Sequence, residues 1–344
     1  MRRALLPLLA ALTAATATAT ATVTWGCGSA TVHELPPGAQ PARSPALQTT
    51  PAGRTVHVGT GPDGLTADAV AHELAVAVRD PDRLVLVDAR TDRTKRTVAL
   101  SGWPRHGGRD ATPAVFVVPA ETGSHALAIT PRAGTAAEAV GDHQHDAAVV
   151  AGRTFVGDAR SNTVAVLDGG RQTARFRVAS APGGLSGADA DRALAVVSTR
   201  ERVLELYDPH TLERVARASA GAGPTHVVSD GDRLYVADTR GGALLLFHTR
   251  PKLTLARRVS LPGSPYGMAI DPIRHRLWIT LTARNEVVAL PAHGRSRVTL
   301  RLPTVRQPDT VAVDAALGVV AVGGRSGGVL QLIGPGQAYP GDRR

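Results

Sequence analysis

The chain has 344 residues, of which 43% are hydrophobic and 20% charged, so it has enough apolar side chains for a folded core and too little charge for a disordered protein. Its formal net charge is +10, carried almost wholly by arginine, because Lys95 and Lys252 are the only lysines. Outside the N-terminus, Gly and Pro interrupt every apolar stretch before it reaches the roughly 18 residues of a membrane span, which excludes a polytopic membrane protein. The positive charge favours anionic partners. We expect no nucleic acid among them, because the sequence has no basic helix, zinc-finger spacing or aromatic-rich sheet pattern.

The N-terminus has the pattern of an export signal, a basic Met1-Arg2-Arg3 followed by an apolar run over residues 4–23. Cys27, the only cysteine, comes just after this run and directly follows Gly26, which resembles the lipobox of bacterial lipoproteins. The resemblance implies a signal peptide over residues 1–26, acylation of Cys27 and attachment to the outer side of the cell membrane. The alternative is ordinary signal-peptidase cleavage and secretion, with Cys27 left as an unpaired thiol.

The next segment, residues 27–53, is rich in proline and lacks apolar periodicity, so it predicts an extended linker between the anchor and a domain over residues 54–335. A polar tail follows at 336–344. Because there is no second cysteine, no intrachain disulfide can form, and the domain must be stabilised by packing.

Two sequence landmarks recur through this domain with a period of 40 residues. Residues 62–65 (PDGL) return as residues 182–185 (PGGL), and the apolar runs that end at Asp88, Asp168 and Asp208 keep the same spacing. Each unit contains four short runs of alternating polarity separated by turn residues, the pattern of four β-strands. A four-stranded unit of about 40 residues is typical of a propeller blade.

We therefore predict an all-β fold, a seven-bladed β-propeller, with blades that start near residues 62, 104, 143, 182, 224, 265 and 308. The last unit offers only three strands, so we predict that an N-terminal strand over residues 55–59 closes the last blade. Closure removes the free sheet edge and predicts a monomer.

Residues 233–238 (RLYVAD) and 161–168 (SNTVAVLD) resemble the repeat of YVTN-type β-propeller proteins. The resemblance covers about residues 55–335 and implies the propeller fold. It implies no single activity, because relatives of this family include surface-layer and binding proteins.

The first strand of each propeller blade lines the central channel, so residues that lead into these strands meet at one mouth of the channel. Taking the same position in each unit yields a candidate ligand-binding set: Asp63, His106, His145, His226, Tyr266 and Asp309. A few polar groups converging in a concave site are typical of a small-ligand pocket. His and carboxylate side chains also suit a divalent metal, but there is no compact metal motif, so we predict neither a metal nor a cofactor.

The loops between second and third strands open on the same face, and six of them contain arginine: Arg79, Arg160, Arg200, Arg240, Arg284 and Arg325. Because the planar guanidinium matches carboxylate and phosphate, the hypothesis is a face that docks an anionic small molecule, polymer or envelope protein. The alternative is that a GC-rich codon bias explains these arginines, which then stay solvated or paired with nearby acidic residues.

No catalytic motif is strong, because the chain has no G-x-S-x-G elbow, Walker loop or dinucleotide-binding loop, and we assign no catalytic residue. The leading prediction is an exported, lipid-anchored propeller that acts as a ligand- or protein-binding module. Two alternatives stay open. One is a lyase or lactonase-like hydrolase that uses His145 or His226 as a base near Asp63 and Asp309, and the other is a structural repeat protein of the cell envelope.

Overall fold

A computed structural model describes residues 35–105, 108–111, 114–122, 125–129, 135–141, 143–294 and 297–341. The predicted leader, Cys27 and His106 lie outside the described residues. Within the described ranges, no helix is both long and apolar enough to cross a membrane.

The described chain is built almost entirely of short strands. In chain order they are β1 (Arg54–His57), β2 (Gly64–Asp68), β3 (Glu73–Val78), β4 (Arg83–Asp88), β5 (Thr94–Ala99), β6 (Gly108–Ala111), β7 (Ala114–Pro119), β8 (His125–Ile129), β9 (Thr135–Ala139), β10 (Gln144–Val150), β11 (Arg153–Asp158), β12 (Thr163–Asp168), β13 (Arg171–Arg177), β14 (Pro182–Ala188), β15 (Ala193–Ser198), β16 (Val203–Tyr207), β17 (Arg214–Ser219), β18 (Pro224–Asp230), β19 (Arg233–Asp238), β20 (Ala243–His248), β21 (Thr254–Ser260), β22 (Pro265–Asp271), β23 (Arg276–Leu281), β24 (Glu286–Pro291), β25 (Leu300–Pro303), β26 (Pro308–Asp314), β27 (Val319–Gly324) and β28 (Val329–Ile333). A 3-10 turn (Thr282–Arg284) and a four-residue helix, α1 (Pro335–Ala338), complete the elements.

Consecutive strands pair antiparallel into four-stranded sheets: β2–β5, β6–β9, β10–β13, β14–β17, β18–β21, β22–β25, and β26–β28 with β1. The all-β prediction is confirmed. The predicted closure is also confirmed, since β1 adds to the outer edge of the last sheet with Val56 opposite Leu330. The two ends of the domain therefore share one sheet, which leaves no open seam.

The prediction of a seven-bladed propeller is wrong: the structure supports six regular blades, and the sheet β6–β9 is not one of them. Six of the sheets are regular blades with a described, buried core, whereas β6–β9 is irregular. Its first strand, β6, has only four residues, compared with seven in β10, β14, β18, β22 and β26. The physical reason lies in the sequence of this unit, since the stretch from Trp103 to β6 lacks the alternation of apolar residues that forms a full first strand.

The core lies between neighbouring blades. Alternate residues of the inner three strands of each regular blade point into the adjoining blade, so that Leu204 and Val197 of one blade pack with Val227, Leu234 and Val236 of the next. Each side chain of this kind contributes about 1.5–3 kcal/mol when fully buried. The fourth strands are outermost and mostly exposed on both faces, as in β13 and β21.

Residues 35–53, here called the N-terminal segment, carry no helix or strand and lie along the mouth face of the propeller. Ala39 and Ser44 are buried there. The segment is hydrogen-bonded to Arg200, Arg240, Ser264, Thr282, Asn285 and Gln307. These contacts span loops of four successive blades, so the segment is docked along its length.

Candidate functional site at the channel mouth

The first strands carry a β-bulge close to the point where they begin. In β10, β14, β18, β22 and β26 the pairing register shifts there, and the residues that it skips include His145, His226, Tyr266 and Asp309. A bulge leaves the extra residue out of the ladder and re-aims its side chain. Repetition of the bulge around the channel is therefore what turns these side chains towards a common mouth.

Two glycines let the bulges approach one another. A Cβ on Gly184 would lie 2.7 Å from the Cα of His226, and one on Gly267 would lie 2.8 Å from the backbone oxygen of Asp309. Because no side chain fits between these backbones, glycine is required at both positions. The close approach brings the bulge residues of neighbouring blades into contact.

Asp63 and two arginines form a buried ionic group at the mouth. The Asp63 carboxylate is 2% exposed and accepts a hydrogen bond from Arg79 and one of 2.9 Å from Arg105. Burial alone would lower the pKa of Arg105, but Asp63, Tyr266 and Glu121 raise it, and the net shift is upward. The Arg105 guanidinium therefore stays charged while almost completely removed from water.

The Arg105 guanidinium also connects Asp63 to the histidines of the next sheet. Its Nη2 lies 2.6 Å from Nε2 of His145, and its Nη1 lies 3.3 Å from Glu121. The other oxygen of Glu121 is 3.5 Å from Nε2 of His143. Since a guanidinium has no acceptor, His145 Nε2 must accept this hydrogen bond, which engages the lone pair that a general base would use.

The opposite side of the mouth combines aromatic rings with a second acid. His226 meets the edge of Tyr266 at a centroid distance of 4.5 Å and lies 6.5 Å from the ring of His145. Asp309 accepts a hydrogen bond from Gln307 and lies 3.6 Å from Arg325. Burial raises the pKa of Asp309 to about 6, with Asp63 acting in the same direction and Gln307 and Arg325 opposing it.

The structure thus brings together five members of the predicted set, Asp63, His145, His226, Tyr266 and Asp309, and leaves His106 outside the described residues. Arg105, the residue beside His106 in the sequence, is the one described at the mouth. Two further site residues were not predicted: Glu121, and Trp103, whose ring lies 4.7 Å from the Arg79 guanidinium. Glu121 lies in the loop after a second strand, the position that carries arginine in other units, which is the signal that points to it.

A cavity of about 360 Å³ lies at the mouth, and of the predicted set His145 and Tyr266 line it. Four arginines, Arg79, Arg105, Arg200 and Arg325, line it, with Glu121 as the only lining carboxylate among the described residues. Gly38, Ala39 and Gln40 of the N-terminal segment form part of its wall. The volume lies within the roughly 300–1,000 Å³ of small-ligand pockets.

The six predicted face arginines do not form one continuous surface. Arg79 and Arg325 point into the mouth, while Arg200 and Arg240 donate to the carbonyl oxygens of Leu35 and Pro37 in the N-terminal segment. Arg160 and Arg284 are exposed on the rim. The arginine-rich face is therefore divided between the mouth, the docked segment and solvent.

A second cavity, of about 260 Å³, lies deeper in the channel beyond the bulges. Most of the side chains that line it are apolar, with Leu65, Leu185 and Val311 among them, and His226 also reaches it. Asp146 is the one carboxylate described there. Burial raises the pKa of Asp146 to about 7, although the backbone N–H groups of Leu185 and Ala147 donate to it and oppose the shift.

Comparison with solved structures supports the β-propeller fold. The chain is similar to Kuenenia stuttgartiensis hydrazine synthase (15% identity, TM-score 0.70, covering 84% of this chain and 98% of that chain). It is also similar to virginiamycin B lyase from Staphylococcus aureus (10% identity, TM-score 0.69, 81% and 98%) and to a chain of the mitotic checkpoint complex (11% identity, TM-score 0.70, 86% and 95%). At these identities the likeness shows the fold alone. No protein-family model and no curated protein sequence matches the chain.

Proposed function

We propose that the protein is an exported propeller with YVTN-type repeats, anchored through Cys27, that binds a small anion at the channel mouth. The observation that supports this role best is the cavity of about 360 Å³ with four arginines and one carboxylate in its lining. Arg79 and Arg105 are already oriented by Asp63, so a carboxylate or phosphate meets preorganised donors.

The division of the arginines provides a charge-matched test. Arg200 and Arg325 line the cavity, whereas Arg160 and Arg284 lie on the exposed rim, and each pair carries the same charge. We expect Arg200→Ser with Arg325→Ser to weaken binding of citrate or inorganic phosphate at least about tenfold, which corresponds to about 1.4 kcal/mol. Arg160→Ser with Arg284→Ser should leave affinity within about twofold, because exposed charges are screened by salt.

Trp103 supplies the readout for this titration. Trp103 is 44% exposed and its ring contacts the Arg79 guanidinium, whereas Trp278 is fully buried in the core. A ligand that draws Arg79 away changes the fluorescence of Trp103 only. Equal losses in the two double variants would contradict a site at the mouth and indicate attraction by net charge.

A second candidate function is a lyase or lactonase-like hydrolase at the same mouth. Asp309 favours it, since a buried carboxyl with a pKa of about 6 is suited to proton transfer near neutral pH. The lyase among the structural neighbours agrees with this candidate. If the purified protein holds one equivalent of divalent metal and loses it when His145 and His226 are both replaced, the enzyme is supported. If the protein holds no such metal, the binding module is favoured.

A further inference from the structure

A second cluster of metal-ligating side chains lies at the end of the propeller away from the mouth. Asp230 ends β18, His275 lies in the turn between β22 and β23, and His293 follows β24. First and third strands run away from the mouth, so all three residues are at the opposite face. Asp230 belongs to one blade and both histidines belong to the next.

The three side chains already converge. One ligand atom from each lies within 4.8 Å of the others, and the rings of His275 and His293 are 4.9 Å apart between centroids. Nε2 of His293 is 3.1 Å from Oδ2 of Asp230. That oxygen is buried and makes no hydrogen bond of good geometry, so it is an acceptor with unused capacity.

The backbone holds this arrangement from two sides. The backbone oxygen of Ala292 accepts hydrogen bonds from the Arg233 side chain at 3.2 Å and from the Tyr235 hydroxyl. The backbone N–H of Ala292 donates to the backbone oxygen of His275 at 2.8 Å. The loop that carries His293 is therefore tied both to the neighbouring blade and to the turn that carries His275. Only the exposed imidazole rings have to rotate to close on an ion.

We propose that Asp230, His275 and His293 bind a divalent transition-metal ion that links these two blades. Two imidazole nitrogens and one carboxylate oxygen are a donor set for Zn²⁺ or Cu²⁺, whereas Ca²⁺ and Mg²⁺ prefer oxygen ligands alone. Both histidines are exposed, so water completes the coordination. To bind the ion through Nε2, the neutral His293 ring must change tautomer: its hydrogen leaves Nε2 to solvent, and Nδ1 takes a hydrogen from solvent in exchange.

Arg233 provides a further test of the proposal, because its hydrogen bond to His293 competes with metal binding. Its guanidinium donates to Nδ1 of His293, which requires the hydrogen to be on Nε2. A ring that binds metal through Nε2 carries its hydrogen on Nδ1, so Arg233 must release this atom. We expect Arg233→Gln, whose amide oxygen can accept from Nδ1–H, to bind Zn²⁺ severalfold more tightly.

The test is calorimetric titration of the full chain, without a polyhistidine tag, with Zn²⁺. We expect one equivalent to bind and to raise the unfolding temperature, and His293→Ala, Asp230→Asn and His275→Asn each to weaken binding at least about tenfold. Asn suits position 275 because His275 has a φ of 48°. His210→Asn, an exposed histidine elsewhere, should bind as the parent does. Circular dichroism without zinc checks that every variant folds.

Two results would overturn the proposal. One is that zinc at submillimolar concentration produces no binding heat and no shift in unfolding temperature. The other is that binding survives in His293→Ala and His275→Asn but disappears when His145 and His226 are replaced, which would place the ion at the mouth instead.

Discussion

The two halves of the channel are built from the same strands but differ sharply in chemistry. The mouth cavity has four arginines, Glu121, two histidines and Tyr266 in its lining, whereas the inner cavity has no arginine and is lined mostly by apolar side chains, with Asp146 and His226. The boundary between them is the row of bulges in the first strands. Beyond the bulge the ladder is regular, and most of the residues that line the inner cavity are small or apolar. At the bulge the pairing register shifts, and residues such as His145, Tyr266 and Asp309 are left out of the ladder.

This difference shows that the residues that stabilise the propeller and the residues available to bind a ligand lie at different depths of the channel. The regular part of each strand supplies inter-blade packing, while the bulge is free to carry a residue of any type because it makes no ladder contribution. The mouth also holds ionised groups that lie outside the strand ladders, and Asp63, Arg79 and Arg105 are mostly buried there. Such groups are stable only while their partners remain.

The largest expected effect is on the buried acid at the mouth. Asp63→Asn leaves Arg79 and Arg105 buried without their shared carboxylate, and we expect the free energy of unfolding to fall by about 3–5 kcal/mol. Denaturant unfolding at pH 7 measures it. The matched control is Asp92→Asn, which breaks the pair with Arg54 in a setting where the Arg54 side chain is 59% exposed. That change should cost at most about 1 kcal/mol, and similar losses in both variants would contradict the ionic role of Asp63.

The same boundary separates the features that the sequence predicts from those that it does not. Strands such as β16 and β20 could be predicted because short apolar runs bounded by turn residues recur with the 40-residue period. The grouping of five mouth residues could also be predicted, because equivalent positions of a repeat occupy equivalent places in the fold. These residues are Asp63, His145, His226, Tyr266 and Asp309. The bulges could not be predicted, since one skipped residue leaves the apolar pattern of the rest of the strand unchanged.

The N-terminal segment marks another limit of prediction. Its proline-rich sequence has no periodicity, and its contacts depend on side chains up to 279 residues away along the chain. Nothing local in the sequence distinguishes such a docked segment from a free linker. The irregular sheet β6–β9 is a third case, because a degenerate unit keeps its place in the repeat without keeping a full first strand.

An intermediate effect is expected where the N-terminal segment meets the mouth face. The Ser44 hydroxyl donates to the backbone oxygen of Thr282 and accepts from the backbone N–H of Gln307, and it is buried. Ser44→Ala leaves both backbone groups without this partner, so we expect a loss of about 1–3 kcal/mol in unfolding free energy. The exposed Thr49 is the control, and Thr49→Ala should change it by no more than about 0.5 kcal/mol. Protease cleavage within residues 35–53 should become faster in Ser44→Ala alone.

A smaller effect concerns the pH dependence of anion binding. Because the pKa of Asp309 is raised to about 6, its carboxyl is ionised at pH 7.5 and repels an anion, and it becomes neutral as the pH falls through 6. Affinity for sulfate, which does not titrate in this range, should therefore rise severalfold between pH 7.5 and pH 5. The groups facing Asp309 are Asp63, Arg325, Gln307 and Tyr266.

Asp309→Asn isolates this contribution from that of the mouth histidines. The mouth histidines are the same in both proteins, so the difference between the two pH profiles belongs to Asp309. We expect the variant to bind sulfate more tightly at pH 7.5 and to show a shallower rise on acidification. Parallel profiles would show that the carboxyl does not face the bound anion.

The smallest effect is expected in the inner half of the channel. Met268 lines the inner cavity and touches none of the ion pairs of the mouth, so Met268→Leu, which nearly conserves volume, should leave citrate affinity within about twofold and stability within about 1.5 kcal/mol. If the ligand extends past the bulges, its apolar part contacts Met268, and the same change alters affinity while leaving the salt dependence of binding intact. The pair of readouts therefore measures how deep the ligand reaches: salt dependence reports the arginines, and the response to Met268→Leu reports the channel beyond them.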